Sequence, residues 1–136
     1  MARIVLTNAY VTVNSVDVSD HVASVTLNSS FDVVETTAFS STAARTRIGG
    51  LQDNSITLEF HQDYASGSIE ATIYPLLGST TSVVVKPNGS STSTTNPSYT
   101  ATVLVSEWTA LNGAVGELAT ASVTWPVSGA ITKATA

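Results

Sequence analysis

Cysteine is absent from this 136-residue chain. That excludes disulfide staples and thiolate metal sites. Charge is nearly as scarce. Asp, Glu, Lys and Arg together make up 11% of the residues, against roughly 25% in an ordinary soluble domain. Only five are basic, and the formal net charge is -5. With no basic patch to release counterions, the chain is a poor candidate for gripping nucleic acid. The same balance suits a surface past which DNA slides without sticking. Long apolar runs are missing too. Met1 to Leu6 (MARIVL) is too short for the apolar core of a signal peptide, and nothing approaches a membrane span. The expectation is a protein that folds in the cytoplasm.

Hydroxyls fill the gap, with Ser and Thr at 40 of the 136 positions. A hydroxyl that finds a hydrogen bond is far cheaper to bury than a charge. Such a surface favours extensive packing against other copies of the chain. The length suits one domain with one core, spanning 1–136.

The clearest pattern is Ser55 to Tyr64 (SITLEFHQDY). Ile56, Leu58, Phe60, Gln62 and Tyr64 fall on one face, and Ser55, Thr57, Glu59, His61 and Asp63 on the other. A period of two predicts a strand with one buried and one wetted face. Ala23 to Val33 reads the same way, with Ala23, Val25, Leu27, Phe31 and Val33 inward and Ser24 to Asp32 outward at every second residue. Residues 80–87, 99–107 and 117–127 add further strands, as do short runs before Val18 and after Ile131. Trp125 falls on an inward face, and Trp108 ends a strand. Ser68 to Leu77 is the one helix predicted, with Ile69, Ile73 and Leu76 at helical spacing, a kink or tightening at Pro75, and Gly78 as its stop. Residues 36–51 show no periodicity and predict a long loop holding Arg45 and Arg47. Gly49-Gly50 supplies the freedom to re-enter the strand. Asn88 to Pro97 (NGSSTSTTNP) reads as a mobile low-complexity loop. The fold class is mainly β: a β-sandwich or partly closed barrel with one short flanking helix.

No chemistry converges. His61 lies between Glu59 and Asp63, close enough to share a divalent ion, yet one strand supplies no converging ligands. Asp20-His21 cannot orient each other as a hydrolase triad requires, and no G-x-S-x-G elbow exists. Ile48-Gly49-Gly50-Leu51 lacks the Lys-Ser/Thr of a phosphate loop. No catalytic residue, metal or cofactor is assigned. The residues by themselves specify a structural or assembly module.

Several segments in order carry a resemblance. They are Glu35 to Phe39 with Arg45, Arg47 and Gly49-Gly50-Leu51; Ser55 to Phe60; Gln62-Asp63-Tyr64; Ser68 to Gly78; Asn96 to Tyr99; Gly116 to Ala119; and Ser122 to Gly129. Together they resemble the major tail tube proteins of long-tailed bacteriophages. The resemblance implies a virion protein, assembled in the host cytoplasm, whose six copies form a ring around one inner β-barrel. Stacked rings make a hollow tube, first occupied by a tape measure protein, then crossed by double-stranded DNA that is not specifically bound. Tail tip and terminator proteins are the further partners implied. On this expectation Asp32, Glu59 and Asp63 face the lumen. Phe39, Arg45, Arg47, Gly49 and Gly50 belong to a loop reaching another subunit. A capsid decoration protein, a head–tail joining protein or a carbohydrate-binding module would use the same sandwich.

Overall fold

The computed structural model describes residues 3–136. Met1 and Ala2, which both the leader reading and the 1–136 domain span include, lie outside the described residues. Eight strands form two sheets. The first sheet runs β2 (Val16–Asp17), β1 (Tyr10–Val13), β5 (Thr80–Lys86), β6 (Ser98–Leu104), β8 (Thr132–Ala134). The second runs β3 (Val22–Glu35), β4 (Arg47–His61), β7 (Thr120–Pro126). All pairings are antiparallel. The two sheets face one another as a sandwich, and neither closes into a barrel.

Alternation decides what lies between them. Val11 and Val13 of β1, Val83 of β5, and Ala101 and Val103 of β6 meet Ile56, Leu58 and Phe60 of β4 and Ala121, Val123 and Trp125 of β7, all buried. Trp125 also donates its indole N–H to the Glu107 carbonyl at 2.8 Å. One end is closed by α1 (Ile69–Ile73), whose Ile69 and Ile73 are buried. The predicted helix is shorter than its apolar spacing suggests: α1 gives way to a 3-10 turn at Tyr74–Leu76. Pro75 has no N–H for an α-helical bond, and Gly78 at φ 87° then turns the chain away. Trp108 packs edge-to-face on Phe60 and donates to Glu70 of α1 at 2.6 Å. It therefore ties the helix to the core.

Four expectations need correction. First, the loop predicted over 36–51 is confined to 36–46. The ladder of β3 and β4 continues through Val33↔Gly49, Val34↔Ile48 and Glu35↔Arg47, closed by Thr36 N–H donating to the Thr46 carbonyl at 2.8 Å. The result is a two-stranded arm beyond the sandwich. It buries neither face, so it leaves no alternation to read. Second, Gly49 and Gly50 are strand residues, and neither is among the left-handed positions. Gly50 sits where β4 carries an extra residue between the Phe31 and Val33 pairings. A Cβ there would lie 2.9 Å from Val34 Cγ2 and 3.2 Å from Asp32 Cβ. Close backbone approach at a bulge is what demands this glycine.

Third, Phe31 and Val33 are exposed, because the first sheet does not reach the arm. Fourth, the strand expected over 55–64 ends at His61. The loop at 88–97 is also more organised than its composition suggests. Asn96 is buried, donates to the Asn88, Ser90 and Ser91 carbonyls and accepts from the Asn88 N–H.

Candidate assembly surface

Register places the outer face of the β3-β4-β7 sheet without ambiguity. Directly opposed residues share a face. Ser24 pairs with Glu59, Thr26 with Thr57, Asn28 with Ser55 and Ser30 with Asp53. Across the other seam His61 pairs with Thr120, Glu59 with Ser122 and Thr57 with Thr124. The Thr57 and Thr124 hydroxyls lie 3.1 Å apart. This face is a hydroxyl lattice carrying Asp32, Asp53 and Glu59, and its one titratable nitrogen is His61. The five basic side chains lie elsewhere. Arg3 is in the N-terminal segment, Arg45 is in the connection of the arm, and Lys86 and Lys133 are on the other sheet. Arg47 pairs with Glu35, on the opposite face.

Of the three acidic residues expected to act together, Asp32 and Glu59 do share this face. Asp63 does not join them. It lies past the strand end, where its carboxylate accepts from Ala65 N–H at 2.9 Å and from the Ser68 hydroxyl at 2.8 Å. Asp53 takes the vacant place. Asp53 marks the point where the chain is expected to re-enter the strand, and extending the alternation two residues back from Ser55 places it on this face.

The arm holds the other expected residues. Arg45 pairs with Glu35 at 2.8 Å, and both are exposed. Phe39 at the tip is completely exposed, Leu51 is 80% exposed and Val33 70%. Phe31 and Ile48 are exposed as well. So many uncovered apolar side chains on one projection mark an interaction surface. At the arm's base, Val25 and Leu27 line an open apolar groove of about 480 Å³ with Leu6, Val85, Tyr99 and Ile131.

This geometry has known counterparts. The chain shares its fold with a protein of a gene transfer agent virion. That chain, from the virion of a native gene transfer agent particle, superposes with a TM-score of 0.71 at 13% identity, over 93% of this chain and 95% of the other. A chain of the six-fold symmetrised baseplate of the anti-feeding prophage superposes with a TM-score of 0.57 at 9% identity, over 99% of this chain and 98% of that one. No family model and no curated protein matches the sequence. At such identities the likeness is one of fold.

A second polar cluster ties the sandwich end together. His21, in the 3-10 turn Ser19–His21, places Nδ1 2.8 Å from Asp20 Oδ1 and Nε2 2.9 Å from Asp63 Oδ2. Both ring nitrogens face carboxylate oxygens, so the imidazolium alone donates at both. The hydrogen bond to Asp20 is the main cause raising the His21 pKa above 6.5. Burial opposes it, and Asp63 adds to it. The Asp63 carboxyl is held below 3.8, chiefly by the Ala65 N–H and next by Ser68, with His21 contributing. The folded imidazole therefore binds its proton more tightly than the unfolded one. Its contribution to stability is complete below 6.5 and is lost as pH rises through the raised folded value. Asp63 acts with the opposite sign, contributing above 3.8 and fading as pH falls through its lowered value. The wild type should therefore lose melting temperature as pH rises above 6.5, and His21→Gln should flatten that decline. Thermal melts across this range check it; equal slopes for both proteins would remove the linkage.

Proposed function

We propose that this chain is a structural virion protein of the tail tube type. Six copies close into a ring, rings stack into a hollow tube, and the outer face of β3-β4-β7 lines the bore. The observation that carries this reading is the charge of that face: hydroxyls with Asp32, Asp53 and Glu59, and no lysine or arginine. A wall of this kind hydrates well and repels phosphate. At about 0.15 M salt the repulsion extends roughly 8 Å, enough to keep a passing duplex off the surface. Each lysine added there would create a phosphate contact and the counterion release that makes it sticky.

Two further facts support the reading. The two structural neighbours named above come from a gene transfer agent virion and an anti-feeding prophage baseplate, the second described with six-fold symmetry. The arm supplies exposed apolar surface for contacts between copies, with its connection at 36–46, including Phe39 and Arg45, reaching the next ring. Tape measure, tail tip and terminator proteins are the partners such a tube requires, and the virion is its location. Double-stranded DNA is a passenger.

Negative-stain microscopy of concentrated protein tests the assembly: stacked tubes are expected. Discrete rings that never stack would favour a baseplate or joining ring, a reading the baseplate neighbour also suits. The lining is tested separately. Asp32→Lys, Asp53→Lys and Glu59→Lys together should still permit tubes, while DNA ejection slows about tenfold or more through added phosphate contacts. Ejection at the normal rate would place this face away from the bore.

A further inference from the structure

The two edges of the β3-β4-β7 sheet are chemically unlike. On the β7 side, Thr124 N–H turns away from β4 and donates to Glu107 Oε1 at 2.8 Å. Thr120 N–H donates to the Asn112 carbonyl at 3.3 Å. Pro126 has no N–H to offer. Among the described residues, only Ser122 has an outward N–H on β7 that is not engaged. This edge is capped by the chain's own 107–112 segment, in the manner by which native sheets protect their edges.

Among the described residues, the arm has no such cap. β3 has a strand partner on one side only, along all fourteen residues. β7 pairs with β4 no further than Ser55, so Arg47 to Asp53 also have an open side. Alternation fixes which groups are free. Thr36 N–H donates inward to Thr46, which turns Val34 toward Ile48 and leaves Val33 and Glu35 facing out on β3, with Arg47 and Gly49 facing out on β4. The arm is thus a ribbon with two unpaired edges.

Resting on the proposed self-assembly, we infer that neighbouring copies join arm to arm: the free β3 edge of one copy pairs with the free Arg47–Asp53 edge of the next, and β7 stays out of the seam. Three features favour this partner. Repeating an antiparallel β3-β4 pair around a ring keeps every seam antiparallel. A β7-to-β3 seam would be parallel, because both strands run antiparallel to β4. Charge is complementary at the outer end of the arm: β3 carries Asp32 and Glu35 and no basic residue, while the Arg47–Asp53 edge carries Arg47 at that end and Asp53 at the other. Phe31, Val33, Ile48 and Leu51 are exposed along the ribbon, and the seam would give them cross-strand neighbours. Strand addition of this kind takes its strength from the backbone ladder.

Proline at an outward N–H removes a seam hydrogen bond without touching the ladder inside the chain. Val33→Pro should therefore melt like Val33→Ala but weaken self-association about tenfold or more by sedimentation. Ser122→Pro, its counterpart on the capped edge, should leave association unchanged. Equal loss with both prolines, or loss with Ser122→Pro only, would overturn the inference. A second measurement covers the case in which Val33→Pro does not fold. The chain lacks cysteine, so single-cysteine copies report contacts directly. Val33→Cys copies mixed with Arg47→Cys or Leu51→Cys copies should form disulfide heterodimers, whereas Ser122→Cys copies should not. Tubes cross-linked through Ser122 would overturn this seam and leave the tube reading standing. Arm-to-arm cross-links without rings or tubes would do the reverse. No association at any concentration would end both.

Discussion

Trp125→Ala should leave the chain largely unfolded. Trp125 has no exposed surface, sits opposite Ile56 at the centre of the inter-sheet core, and is the largest of its fully buried side chains. Truncating a buried aromatic to alanine costs about 3–5 kcal/mol, because lost burial adds to an unfilled cavity. Here the indole N–H also satisfies the Glu107 carbonyl. Glu107 itself is exposed, so losing that donor adds only about 0.5–1.5 kcal/mol. A domain of this size has only about 5–15 kcal/mol in total. Trp125→Phe should cost much less, since most of the ring volume remains and the hydrogen bond alone is lost. Urea titrations of the two variants decide the matter. A midpoint for Trp125→Ala within error of wild type would mean the core is not organised around this residue.

The other large effect is on assembly and leaves the fold intact. Replacing residues 37–45 by Asn-Gly should give a folded protein that melts near the wild-type temperature and forms no stacked tubes. Thr36 and Thr46 are already bonded across the ladder, so a two-residue turn closes the same ribbon. What is removed is exposed: Phe39, the Arg45–Glu35 pair and the hydroxyls between them. An exposed ion pair contributes about 0–1 kcal/mol, so stability should barely change. The lost apolar tip, by contrast, is the proposed contact to the next ring. Microscopy of the shortened protein showing ordinary tubes would assign the stacking contact to another part of the chain. Single rings that do not stack would locate it at the tip.

The exposed side chains of the arm also explain where sequence reading succeeded and where it stopped. In β7, each inward residue from Ala121 to Trp125 meets the core and each outward one meets solvent. Composition there follows position, and the pattern could be read directly. The helix was legible for the same reason: Ile69 and Ile73 are both buried. In the arm the rule fails, because neither face of the ribbon is covered within one chain. Val33 and Val34 point opposite ways and both remain exposed. Without a burial difference the sequence has no period, so a strand pair looks like a loop.

The acidic residues divide along similar lines. Asp32 and Glu59 could be placed on one face from their phase in two strands. Asp63 had the right phase as well, but Tyr64 donates to the Ala110 carbonyl and Gln62 to those of Thr109 and Ala110. These bonds take the backbone out of the sheet just before Asp63 would have joined the face. Its pairing with His21, forty-two positions away, depends on how β2 and the helix lead-in are brought together, and no local spacing encodes that.

What the sequence determined by itself was the class of surface: two-period strands, hydroxyls in place of charge, and too few basic groups to hold DNA. Those are properties of single strands and of composition, and they do not depend on which strand lies beside which. Only the tertiary structure decided the sheet order, the joining of Asp32, Asp53 and Glu59 on one face, and the contrast between a capped β7 edge and an open arm. Each of these depends on pairing between distant segments. A hydrogen-bond edge is free or occupied only once every other strand has taken its place.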